Sequence, residues 1–174
     1  MDQDFFSYLQ KLELLLFFSG YPVIYLLVHS IAGKPREKDT IQSRVVSLLP
    51  YSYALMGTLY LGLLCKNIYP DYSMEHILER IQNPYVTLLG LGSLLFWIPA
   101  ISHRRVLSFL HGLFFFFLLI GDFFMQETGR VADKAVLKND MRIYTISLLL
   151  HLLALLLIFG LSQLYRRFLR SRVS

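Results

Sequence analysis

Cys65 is the only cysteine in 174 residues, so no disulfide can form within the chain and no thiolate metal cage can be built from it alone. Charge is also scarce, at 17% Asp, Glu, Lys and Arg, and it falls in short polar segments between long apolar ones. The 17 Lys and Arg against 12 Asp and Glu are spread through those segments rather than gathered in one patch. That distribution favours membrane topology signals over a nucleic-acid footprint. There is no Gly-rich phosphate loop, HExxH, GxSxG, CxxCH or carboxylate-rich metal motif. Nor do serine and histidine recur at a spacing that implies a nucleophile and its base. The sequence therefore assigns no catalytic and no metal-ligating residue. It has no internal repeat to suggest an inverted-repeat transporter within one chain. The acidic start MDQDFF lacks the positive region of a secretory signal peptide, so the first apolar segment is expected to remain in the protein.

Apolar residues, by contrast, abound. They make up 55% of the chain, with a mean hydropathy of +0.51, more than a soluble domain of this size needs. The predicted fold is all-α, a single polytopic membrane helix bundle of about five transmembrane helices over 12–31, 45–64, 85–101, 106–124 and 143–161. Each approaches the roughly 20 residues that cross ~30 Å of hydrocarbon. Gly20 and Pro22 interrupt the first span, and Pro22 removes a backbone donor and kinks the helix. Ser73 and the apolar positions Met74, Ile77, Leu78 and Ile81 predict a short amphipathic surface helix over 73–82. Pro99 and the SHRR segment break what would otherwise be one 40-residue helix into a tight antiparallel hairpin, since two arginines cannot cheaply sit at mid-bilayer.

Small residues mark where helices can approach. Ala54, Thr58 and Gly62 on the second span and Gly90 and Ser93 on the third read as packing seams. The tail 164–174 carries Arg166, Arg167, Arg170 and Arg172 with Tyr165 and Phe168, a collar suited to the anionic headgroups of the cytoplasmic leaflet. With five spans this puts the N-terminus outside, and the inner segments then hold ten Lys and Arg against seven outside.

The polar residues inside the spans pose the functional question. His111 and Asp122 are eleven residues apart, about 20° around the helix and about 16 Å along it. Tyr144, Ser147 and His151 share a stripe on the last span, and His29 lies near the end of the first. Counting from the outer boundary orders them as Asp122, His151, His111 and His29, with His151 and His111 several ångströms apart in depth. One reading makes them a descending proton or cation path; another makes them bonds between helices or to backbone carbonyls, each contributing about 0.5–2 kcal/mol. Two of the histidines could also serve as axial ligands of haem b, or bind a quinone. The expected role is a non-enzymatic membrane component, either a small subunit of a larger complex or part of a homo-oligomeric channel or transporter, with the bilayer as its first partner, no nucleic acid and no cofactor. The alternative is a membrane redox protein.

Overall fold

The computed structural model describes residues 12–32, 41–70, 72–75, 77, 81, 84–128 and 134–171. Among these there is no strand. The first apolar run forms α1 (12–18) and α2 (Tyr21–Ala32), separated by a turn at Ser19 and Gly20. Then come α3 (Ile41–Ile68), α4 (Pro84–Leu91), a 3₁₀ segment (Gly92–Trp97), α5 (Pro99–Ser102), α6 (Arg105–Thr128) and α7 (Lys134–Ser171).

Among the described residues three helical runs are long and apolar enough to cross a membrane: Leu12–Ala32, Ile41–Ile68 and Met141–Phe168. The apolar runs Pro84–Trp97 and Arg105–Gly121 are shorter. The third predicted span is thus an interrupted helix rather than a uniform one. Its α-pairing tightens to i→i+3 at Gly92, and it ends where Pro99, which has no N–H, starts a new turn. The predicted hairpin turn is present as His103 and Arg104. The last helix runs well beyond 143–161 at both ends. Of the predicted surface helix, the bonds Ile77 N–H to Ser73 O (3.0 Å) and Ile81 N–H to Ile77 O (2.9 Å) are helical, while 76, 78–80 and 82 lie outside the described residues.

The core is aromatic. Phe18, Tyr21, Tyr53, Tyr60 and Phe115 are fully buried. Phe18 packs on Tyr53, Tyr60 and Phe115 with ring centroids 5.7, 5.5 and 4.9 Å away. The three long apolar runs differ in burial: the share buried inside the bundle is 56%, 50% and only 28% in chain order. The last helix is therefore the peripheral one, displaying Leu149, Leu152, Leu153, Leu156 and Leu157 outward.

Close approaches occur at glycines. A Cβ on Gly20 would lie 2.8 Å from the backbone of Ser147 and Leu148, and one on Gly112 would lie 2.8 Å from the Tyr21 ring. One on Gly57 would strike Ser93 Oγ. The predicted seam along α3 is only partly used: Ala54 is buried, whereas Thr58 and Gly62 are exposed. The reason is geometric. Residues four apart advance about 400°, so a four-residue stripe drifts roughly 40° per step and has turned away by Gly62. The inward face passes through Gly57, Tyr60 and Leu64 instead. Gly90 and Ser93 are buried, with Gly90 facing Leu14, Phe18 and Tyr60.

These two kinds of glycine should respond oppositely to alanine. Gly20→Ala is expected to destabilise by about 1–3 kcal/mol through overpacking. Gly62→Ala, with nothing within 4 Å, should be neutral or stabilising by up to about 1 kcal/mol through helix propensity. Thermal unfolding of the two variants in one detergent measures both.

Candidate functional site

The first helix breaks inside the bundle. Its ladder ends at Ser19 N–H to Leu15 O (3.0 Å) and restarts at Ile24 N–H to Gly20 O (3.3 Å). Pro22 cannot donate, so the break leaves backbone groups that hydrocarbon cannot satisfy. Another helix supplies the partner: Gly20 N–H donates to Ser147 Oγ at 2.9 Å, and Ser19 Oγ lies 3.5 Å from the same hydroxyl. Ser19 itself donates to Leu15 O at 2.6 Å.

A second break is tied down in the same way. A continuing α-helix would pair the Leu89 carbonyl with Ser93 N–H, but the pairing changes to 3₁₀ at Gly92. Leu89 O instead accepts from His111 Nε2 at 2.9 Å. Gly92 makes room, since a Cβ there would lie 3.2 Å from His111 Nε2. A carbonyl can only accept, so Nε2 carries the hydrogen and, in the neutral ring, Nδ1 accepts the Tyr53 hydroxyl proton across 2.7 Å. Both nitrogens of His111 are thereby engaged.

Tyr53 links these two regions. Its ring centroid lies 5.6 Å from that of His111 and 6.1 Å from that of His151, and 4.2 Å from that of Tyr21. Tyr21 also flanks His151 at 5.5 Å, while its hydroxyl donates to Ser108 Oγ at 2.8 Å, whose own proton goes to Arg105 O. His151 is buried, and neither of its ring nitrogens closes a hydrogen bond of good geometry; the Phe17 carbonyl is the polar group beside it.

The cluster therefore gathers His111, His151 and Ser147 from the predicted set around Tyr53. His29 is not brought in: it is exposed and stacks on Tyr25 at 6.1 Å. Tyr144 lies at the edge, half-buried against Phe116 at 6.2 Å. Asp122 is in α6, but its side chain is outside the described residues. So is that of Arg170, as is the whole of Arg172, whereas Arg166 and Arg167 are exposed near the end of α7. The separation in depth expected between His111 and His151 is reduced: with Phe116 against Tyr144, His111 stands opposite about Leu149, two residues or ~3 Å from His151. Helix extends to Thr128 on one side of the connection and from Lys134 on the other, which slides α7 relative to the register that ends spans at 124 and 143.

Tyr53, Tyr21, Ser19 and Leu89 escape prediction as members of this cluster. No group of three or more His, Cys, Asp or Glu that could hold a metal occurs among the described residues. Both ring nitrogens of His111 are held in hydrogen bonds, and His151 lies beside the paired rings of Tyr21 and Tyr53. Searches for a matching protein family, a matching characterised protein and a matching solved structure found none.

Removing the hydroxyl of Ser147 should leave Gly20 N–H without its partner, and Ser147→Ala is expected to cost about 1–3 kcal/mol. Tyr53→Phe and His111→Ala should be coupled, with an interaction energy of about 0.5–2 kcal/mol in a double-mutant cycle. Unfolding in detergent measures both, and additivity of the pair would remove the Tyr53–His111 bond from the account.

Proposed function

We propose that this chain is a non-enzymatic integral membrane protein, a small subunit that assembles with copies of itself or with other membrane proteins. The observation that supports this reading is how the core spends its polar groups. Ser147 and His111 each reach across to the broken backbone of another helix, and Tyr21 and Tyr53 each bind a side chain on α6. Polar groups arranged in this way join helices to one another, as in membrane bundles generally. A transport path would instead need such groups to line open space.

In this reading Pro84–Trp97 and Arg105–Gly121 join the three longer helices to give five spans, with the N-terminus outside and the C-terminus cytoplasmic. Arg44, Arg104, Arg105, Arg166 and Arg167 belong to the end of the bundle where α2 finishes and α3 and α6 start. That end is the cytoplasmic one by the excess of basic residues. The exposed leucines of α7 serve lipid or a neighbouring subunit.

A second reading, a proton relay, is favoured by one observation only: His151 is buried without a well-formed hydrogen bond, beside a tyrosine that binds the other core histidine. Proteoliposomes holding the purified chain and a pH-sensitive dye separate the two readings. The assembly reading expects proton flux equal to that of empty liposomes, and a native mass above that of one 20.3 kDa chain after mild extraction. Flux above background that His151→Leu abolishes would replace it with the relay.

A further inference from the structure

The two arms of the hairpin meet at an unusual depth. Tyr144 packs on Phe116, and α6 and α7 are antiparallel, so Arg105 stands opposite about Leu155. Arg166 lies eleven residues beyond Leu155, roughly 16 Å further toward the cytoplasmic end at ~1.5 Å per residue. Tyr53 binding His111 likewise puts Arg105 opposite Ser47, roughly 5 Å short of Arg44. The hairpin tip is therefore recessed below the ends of both neighbours.

Arg104 and Arg105 are held at that recessed tip. The residues around them face lipid: Ile98, Val106 and Leu110 are 47%, 61% and 53% exposed, and Leu161 above them on α7 is 61% exposed. A guanidinium at this depth needs an anion. No ion pair among the described residues involves Arg104 or Arg105, and the described carboxylates, Glu13 and Glu75, belong to the opposite end. Glu13 is at the start of α1, bonded there to Asn67 near the far end of α3, and Glu75 follows that end in the chain.

We propose that the recessed tip binds the phosphate of an anionic phospholipid from the cytoplasmic leaflet. The guanidinium fork suits phosphate oxygens in a bidentate pairing, and long arginine stems reach up along apolar surface toward the headgroups. The phosphate is drawn down beside the hairpin while the acyl chains cover Val106 and Leu110. Basic pockets between transmembrane helices on the cytoplasmic side hold lipid headgroups in this manner. The proposal requires the hairpin tip to face the cytoplasmic leaflet but is independent of whether the chain assembles or carries protons.

The test uses the full chain in nanodiscs of phosphatidylcholine containing a minor share of spin-labelled phosphatidylglycerol. The fraction of lipid immobilised by the protein is read by electron paramagnetic resonance, with spin-labelled phosphatidylcholine as reference. A preference for phosphatidylglycerol is expected, and Arg104→Gln with Arg105→Gln should lower it by about fivefold per arginine. Arg166→Gln with Arg167→Gln, at the bilayer surface, should lower it less. Arg104→Lys with Arg105→Lys should retain part of the preference and guards against misfolding of the glutamine pair. Equal immobilisation of the two lipids by the native chain would overturn the proposal. So would a larger loss from the Arg166 and Arg167 pair than from the hairpin pair, and so would full displacement by millimolar inorganic phosphate, which would make free phosphate the occupant.

Discussion

A helix that breaks within hydrocarbon leaves backbone donors and acceptors that lipid cannot satisfy, and this requirement organises the bundle. Among the described residues the apolar part breaks at Ser19–Gly20 and at the change from α to 3₁₀ pairing at Gly92. Each break is met by one polar side chain from a distant helix: Ser147 takes the Gly20 N–H and His111 gives to the Leu89 carbonyl. These two bonds fix the position of α7 against the first span and of α6 against the third. The remaining packing has to accommodate them.

Tyr53 makes the two tethers one structure. It binds His111 through its hydroxyl and packs near both the His111 and His151 rings, with Tyr21 tilted against it at 4.2 Å. Aromatic pairs of this kind contribute about 0.5–1.5 kcal/mol beyond the area they bury. A cluster of several such pairs is thus comparable with the hydrogen bonds it surrounds. The glycines serve the same end, because Gly20 and Gly92 let backbone and imidazole come within bonding distance. Ser147 and His111, two of the polar residues that the sequence sets inside the spans, bond backbone groups of other helices.

Much of this was legible in the sequence where a local rule applied. Pro22 and Gly20 marked the first break, Pro99 and the paired arginines marked the hairpin, and the apolar runs marked the long helices. His111, His151 and Ser147 stood out because polar groups are costly in lipid. What stayed hidden depends on register between helices. Nothing local distinguishes Gly57, which receives Ser93, from Gly62, which faces open space. The Leu89 carbonyl becomes an acceptor only because the helix tightens three residues later, and Tyr53 becomes central only because α7 slides far enough to bring His151 beside it. His29, read as part of the same set, is left at the surface because eight residues turn it about 80° away from Tyr21 around α2.

His111 is the tether between a broken helix and Tyr53. Nitrogen-15 NMR of histidine-labelled protein in lipid bilayers reads its tautomer directly. The account predicts that the neutral ring carries its hydrogen on Nε2, bonded to the Leu89 carbonyl, with Nδ1 accepting from Tyr53 and shifting in Tyr53→Phe. A hydrogen on Nδ1 with a bare Nε2, or an Nδ1 signal unmoved by Tyr53→Phe, would contradict it.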